Sequence, residues 1–377
     1  MQAPARSFKP SAASGPKGLL SNMQVLRFVA AAMVLVSHLD REARHDGLGA
    51  SVAPVMDAIG MPWSCGVDLF FCISGFLMLY LTWEHFARPG YAGEFLKRRV
   101  IRIVPLYWIF TLAFTAVSLM APSVLFHSDV TPIRLLASLG FIPIARTDGS
   151  IYPVLVAGWT LNYEAFFYTL FTVALFLPRR VALAALSLFF LALSLVHLLA
   201  PPDNPTFFFW SNPIILEFLF GMGAAVLYLK GVRLPAAVRF VLGAAGFLAL
   251  ILVNKAGLAD TEVSLSPLPR SIWAGLPAVL ILVAALYGPQ LQPKSLLVRA
   301  VILGGDASYA LYLCHMFATR SVTLLWRNLH LQSGWGFVAA GFVAALALAV
   351  LVYLTIEKPL LGILRSRFEP KRSTLPA

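Results

Sequence analysis

Ten runs of roughly 20 apolar residues divide this 377-residue chain, and that is the length an α-helix needs to cross the hydrocarbon of a bilayer. They fall at about 20–39, 65–83, 103–121, 160–178, 181–200, 212–229, 239–254, 271–288, 308–326 and 336–356. A span must satisfy its own backbone hydrogen bonds, so runs of this kind become helices. The sequence therefore predicts an all-α integral membrane protein of about ten transmembrane helices. Composition agrees: 12% of residues are charged and mean hydropathy is +0.80, whereas a soluble domain carries about 25% charged residues.

Two further patterns bear on that reading. The eight Trp residues (63, 83, 108, 159, 210, 273, 326 and 335) all fall at or near proposed span ends, as interfacial aromatic belts require. With the N-terminus inside, the cytoplasmic segments hold 20 of the 29 Lys and Arg residues, so the positive-inside rule predicts that both termini are cytoplasmic. The same asymmetry accounts for the net charge of +12 without a nucleic-acid partner; a basic inner face suits anionic lipid. Cys65, Cys72 and Cys314 are too few and too scattered for a disulfide framework.

Residues 1–18, rich in Pro, Ala, Ser, Gly and Lys, read as a disordered cytoplasmic tail. Residues 19–362 form the membrane domain, and 363–377 a basic cytoplasmic tail. The first span is not a cleaved signal peptide, because no small-residue cleavage site is evident and the polar run DREARHDG follows directly. The long outer connection, about 122–159, contains the apolar stretch LLASLGFIPI, too short to span and suited to an interfacial or re-entrant position.

The chemical candidates lie on these spans. Arg27 and His38 share the first one, in LRFVAAAMVLVSHL. Eleven residues are close to three helical turns and a rise of roughly 16 Å, so both side chains face one way at different depths. An Arg at a span's centre costs about 2.5–3.5 kcal/mol and normally faces a polar partner or cavity. His38, Asp68 and Glu164 fall near the predicted outer face; Arg99, Arg102 and Lys358 fall near the inner one; His315 is nearer mid-membrane. Each has a plainer reading beside the functional one. Asp68 can cap its helix, His315 can bond a neighbouring carbonyl, and Arg99 and Arg102 can serve topology alone. No GxSxG elbow, HExxH zinc site, P-loop or metal-ligand cluster is present, so no metal is expected.

The ordered set LRFVAAAMVLVSHL, GVDLFFCISGFLM, RRVIRIVPLYW, GWTLNYEAFFYTLF, SYALYLCHMF and TIEKPLL resembles acyltransferase family 3, multi-span bacterial enzymes that O-acylate surface polysaccharides and some small molecules. The resemblance runs from about residue 20 to 362. It places the family's Arg-x10-His spacing on Arg27 and His38, and its cytoplasmic Arg-x-x-Arg on Arg99 and Arg102. The NYE sequence around Tyr163 and Glu164 is similar to the exopolysaccharide-modifying branch.

What the resemblance implies is acyl transfer from acyl-CoA (acetyl-CoA or succinyl-CoA as co-substrate, with no bound cofactor) to a hydroxyl of a glycan or lipid-linked sugar, in the bacterial cytoplasmic membrane. Arg27, Arg99 and Arg102 would hold the donor. His38 would act as base or carry the acyl group covalently, and Asp68 or Glu164 would orient its ring; His315 and Tyr163 are further candidates. Two other classes remain open from sequence, a transporter or flippase and a non-enzymatic assembly subunit. Oligomeric state is left open.

Overall fold

A computed structural model describes residues 20–121, 129–259 and 269–368. The expected N-terminal tail lies outside the described residues, as does the C-terminal tail beyond Phe368. The described chain is all helical: α1 (Ser21–His45), α2 (Gly49–Ile59), α3 (Gly66–Thr82), α4 (Tyr91–Met120), α5 (Pro132–Leu139), α6 (Trp159–Ala174), α7 (Arg179–Leu199), α8 (Pro205–Ser211), α9 (Leu216–Leu229), α10 (Ala236–Lys255), α11 (Leu276–Leu286), α12 (Leu296–Asp306), α13 (Ser308–Asn328), α14 (Gly334–Val352) and α15 (Lys358–Phe368). Polar side chains start several of them. Thr131, Asn204, Ser295 and Ser333 each accept a backbone N–H from the first turn of the helix that follows, satisfying a donor that the helix itself leaves open.

Among the described residues, seven helices are long and apolar enough to cross a membrane, or eight if α12 and α13 count as one bent span. This differs from the ten runs read from sequence for a physical reason. The run expected at 160–178 becomes α6, 16 residues long, and 271–288 becomes the short apolar helix Ser271–Leu286. Sixteen residues rise about 24 Å, less than the ~30 Å of a typical hydrocarbon core. The run at 308–326 carries His315 and Arg320 and qualifies only together with α12, from which it turns by 78°. The apolar stretch expected to lie at the interface forms the eight-residue α5 and the turn after it.

The core is built around α1. Met23, Leu26, Ala30 and Val34 pack into the larger buried cluster with α3, α6 and α9. Ala31, Leu35 and Leu39 pack into a second one with α2, α13 and α14. Close helix approach depends on glycine. A Cβ on Gly75 would lie 2.0 Å from the Phe218 carbonyl oxygen, and one on Gly221 would lie 1.9 Å from that of Cys72. Hence α3 and α9 touch backbone to backbone, as small residues allow between membrane helices. Outward faces of α7 and α10 expose Leu188, Leu191, Phe240, Val241 and Leu252, a surface suited to lipid rather than water.

Two irregularities point inward. Besides the α12–α13 bend, a π-helical segment, Tyr353–Glu357, joins α14 to α15. Non-helical backbone at membrane depth is tolerated where it borders protein or a cavity, and π segments often mark functional sites.

Candidate active site

Both irregularities border one cavity of about 990 Å3. Arg27 from α1, Arg99 and Arg102 from α4, and Glu164 from α6 all line it, together with Asp306, Ser308 and Tyr309 at the bend and Tyr353 in the π segment. Exposed Arg98, Lys358 and Arg365 lie at its rim; Val67, Phe71, Leu161 and Tyr312, all buried, lie at its inner end. The cavity thus has exposed basic residues at one side, half-buried Arg27, Arg99 and Glu164 in its wall, and apolar residues with a few hydroxyls beyond them.

Four charged side chains in the wall are held by neighbouring groups. Arg27 Nη1 donates to Gln24 Oε1 at 3.1 Å, one turn earlier on α1. The backbone of Gln24 packs directly on Gly305, where a Cβ would lie 2.1 Å from the Gln24 carbonyl oxygen. Arg102 forms an ion pair with Glu357 of the π segment, and its guanidinium lies 5.6 Å from the Tyr309 ring centre. Arg99 packs against Phe95, while its buried Nε has no hydrogen-bond partner among the described residues. That leaves an unmet donor on a group whose planar fork suits phosphate. Glu164 accepts a hydrogen bond from the Tyr168 hydroxyl at 3.1 Å, and Tyr168 in turn lies 2.7 Å from Ser74 Oγ.

Glu164, expected near the outer face, and Arg99 and Arg102, expected near the inner one, line one cavity. Helix α4 begins at Tyr91, not at the start of the apolar run, so both arginines lie two to three turns along it, about 12–17 Å from its first residue. The charged first turns of α4 were invisible as part of a span because hydropathy registers only the apolar portion.

His38 and His315 form a separate pair. Their ring centres are 4.7 Å apart and the planes are tilted by 52°. Neither lines the cavity, but Tyr312, one turn before His315 on α13, does. Its hydroxyl is held by Thr160 and by the Ala157 carbonyl oxygen. Beyond the histidines, Glu42 accepts hydrogen bonds from Arg320 and Thr323, tying α1 to α13.

Two expected site residues are placed elsewhere. Both carboxylate oxygens of Asp68 are engaged by Arg270 at 2.8 Å, and both side chains are buried. No hydrogen bond joins Asp68 or Glu164 to His38 among the described residues. Tyr163 stacks on Phe209 at 4.0 Å and donates to its carbonyl oxygen, outside the cavity lining. Sequence reasoning missed Tyr168, Asp306, Tyr309, Tyr312 and the pairing of Arg102 with Glu357. The last had a signal, a carboxylate followed by lysine at a span end in TIEKPLL.

The family model Acyl_transf_3, an acyltransferase domain, matches residues 20–354. The chain belongs to this acyltransferase family. It is a multi-pass membrane enzyme that transfers acyl groups. It is also 36% identical over 312 residues to the exopolysaccharide production protein ExoZ of Rhizobium meliloti (strain 1021), covering 81% of this chain and 91% of that one. No solved structure matches.

Proposed function

We propose that the chain moves an acetyl or succinyl group from acyl-CoA to a hydroxyl of an exopolysaccharide or its lipid-linked precursor, in the bacterial cytoplasmic membrane. The observation that carries this reading is the cavity, lined by exposed basic residues and by buried Thr160 and Tyr312, the latter 6.2 Å from the ring of His315, which in turn lies against His38. Coenzyme A is a polyanion with a long neutral arm. Arg98, Lys358 and Arg365 suit its phosphates at the open side, and Arg99 and Arg102 suit them deeper in. With both termini cytoplasmic, that open side faces the donor pool.

The arm then runs past Arg27 toward Tyr312, which brings the thioester to the level of His38. There the acceptor hydroxyl gives its proton to a ring nitrogen of His38 while its oxygen attacks the thioester carbonyl. A C–O bond forms, the C–S bond breaks, and the departing thiolate takes the proton from the imidazolium. Water exclusion by the surrounding helices favours transfer over hydrolysis. Similarity to ExoZ over most of both chains supports a polysaccharide acceptor.

The test is acceptor-dependent release of free coenzyme A by purified protein in lipid nanodiscs. Acetyl-CoA and succinyl-CoA are each supplied with isolated exopolysaccharide, and the glycan is analysed by mass spectrometry. The expected result is thiol release only with acceptor present, with the matching acyl group on the glycan. Glycan movement across vesicles without consumption of acyl-CoA would instead assign the chain to transport.

A further inference from the structure

His315 Nδ1 lies 3.1 Å from the carbonyl oxygen of Leu311 and 2.9 Å from that of Tyr312. Carbonyl oxygens only accept, so Nδ1 carries the hydrogen and donates it to the helix's own backbone. In the neutral ring this leaves Nε2 as a bare lone pair. Nε2 is buried and has no hydrogen-bond partner among the described residues. A buried acceptor left unmet is destabilising, so a retained one calls for a donor.

Among the described residues, two rings lie against His315. Tyr312 is 6.2 Å away, centre to centre, with its hydroxyl engaged at Thr160 and Ala157. His38 is nearer, at 4.7 Å, and can supply an N–H.

We propose that His315 is the positioning residue for His38: its Nε2 accepts the N–H of one His38 ring nitrogen and so reserves the other as the proton-accepting lone pair. This rests on the reading of His38 as base. It gives His38 the ring orientation that a carboxylate supplies to the histidine of a hydrolase triad, but without a second negative charge in the membrane interior. The hydrogen bond strengthens when His38 becomes imidazolium, because its N–H is then a charged donor. A neutral acceptor thus stabilises the protonated base through the step in which the proton is held. The backbone of α13 supplies the fixed end of the relay, since the carbonyls of Leu311 and Tyr312 hold the His315 tautomer.

The test compares His315→Phe, which keeps a ring but removes the acceptor, with His315→Gln, whose amide oxygen reaches the position of Nε2. Both are assayed as purified full-length protein in nanodiscs for acceptor-dependent release of coenzyme A from the acyl-CoA used by the parent. His315→Phe is expected to lower kcat by about tenfold or more, within the range that general-base catalysis supplies, with KM for acyl-CoA unchanged. His315→Gln is expected to recover most of that loss. His315→Leu serves as the same arm if the Phe variant does not assemble. Normal kcat without the acceptor overturns the proposal, and so does equal impairment of the Phe and Gln variants accompanied by a shifted melting temperature. His38→Ala separates the two levels of the argument. If it retains transfer, the base reading itself fails; if it is inactive while His315→Phe is normal, only the positioning role fails.

Discussion

Arg102 and Glu357, 255 positions apart in sequence, form an ion pair in the cavity wall with the glutamate 1% exposed. The pair joins α4 to the π segment after α14, which borders the cavity at Tyr353. It also divides the arginines into two kinds. Arg102 has an ion-pair partner in Glu357, whereas Arg99 retains a buried Nε donor with no hydrogen-bond partner among the described residues.

Removing one partner of such a pair leaves the other charge uncompensated, at a cost of about 3 kcal/mol for a largely buried pair. Arg102→Met and Glu357→Leu should each lower the melting temperature of the detergent-solubilised protein. Replacing both residues together, by Met and Leu, should restore most of the loss. Donor binding should remain weakened in the double variant, because a phosphate ligand is gone. Additive destabilisation in the double-mutant cycle would show that the two side chains are not coupled.

Arg99 offers the cleaner test of donor recognition. Arg99→Ala should weaken binding of coenzyme A by about tenfold, matching loss of one charge-assisted hydrogen bond worth about 1.5 kcal/mol or more, with little effect on melting. Titration of the purified variant with coenzyme A, beside a pantetheine thioester lacking phosphates, checks this. Equal affinity of parent and variant for coenzyme A would return Arg99 to a purely topological role.

Asp68 behaves differently from the expectation read off its motif. Its two hydrogen bonds to Arg270 are both 2.8 Å long, and neither residue reaches the cavity. Asp68→Asn leaves the Arg270 guanidinium buried without its counter-ion, at about 3–5 kcal/mol. The expected outcome is a low yield of folded protein with a reduced melting temperature, while the folded fraction keeps the parental KM for acyl-CoA. A drop in kcat at unchanged melting temperature would restore Asp68 to the chemistry.

The contrast between Asp68 and Arg27 shows what was legible in the sequence. Helical class and the location of most spans follow from local hydropathy, which a single segment carries by itself. The approach of Arg27, Arg99 and Arg102 to one cavity was foreshadowed by the cost of leaving a charge in hydrocarbon. Pairing of Asp68 with Arg270 was not, because the partner lies 202 positions away and either residue alone reads equally well as a cap or a catalyst. The same holds for His315: its sequence context said nothing of His38. The 78° bend after Asp306 was also hidden, since the apolar run starting at 308 shows no break.

His38 carries the enzyme reading more than any other residue. It sits eleven residues beyond Arg27 on α1, about 16 Å farther along the helix, with the His315 ring beside it. His38→Ala should reduce transfer by about 10²–10⁴-fold, the usual contribution of a general base. His38→Gln can still donate a hydrogen bond but cannot take up a proton, so it should fail to the same degree. Coenzyme A binding should be retained in both, because the arginines that line the cavity are separate from the histidine pair. Mass spectrometry after incubation with acyl-CoA alone checks the route: unmodified His38 accords with direct transfer, whereas an acyl adduct on that ring would replace it with a two-step path through acyl-imidazole. Near-parental transfer by well-folded His38→Ala protein would remove the base mechanism altogether.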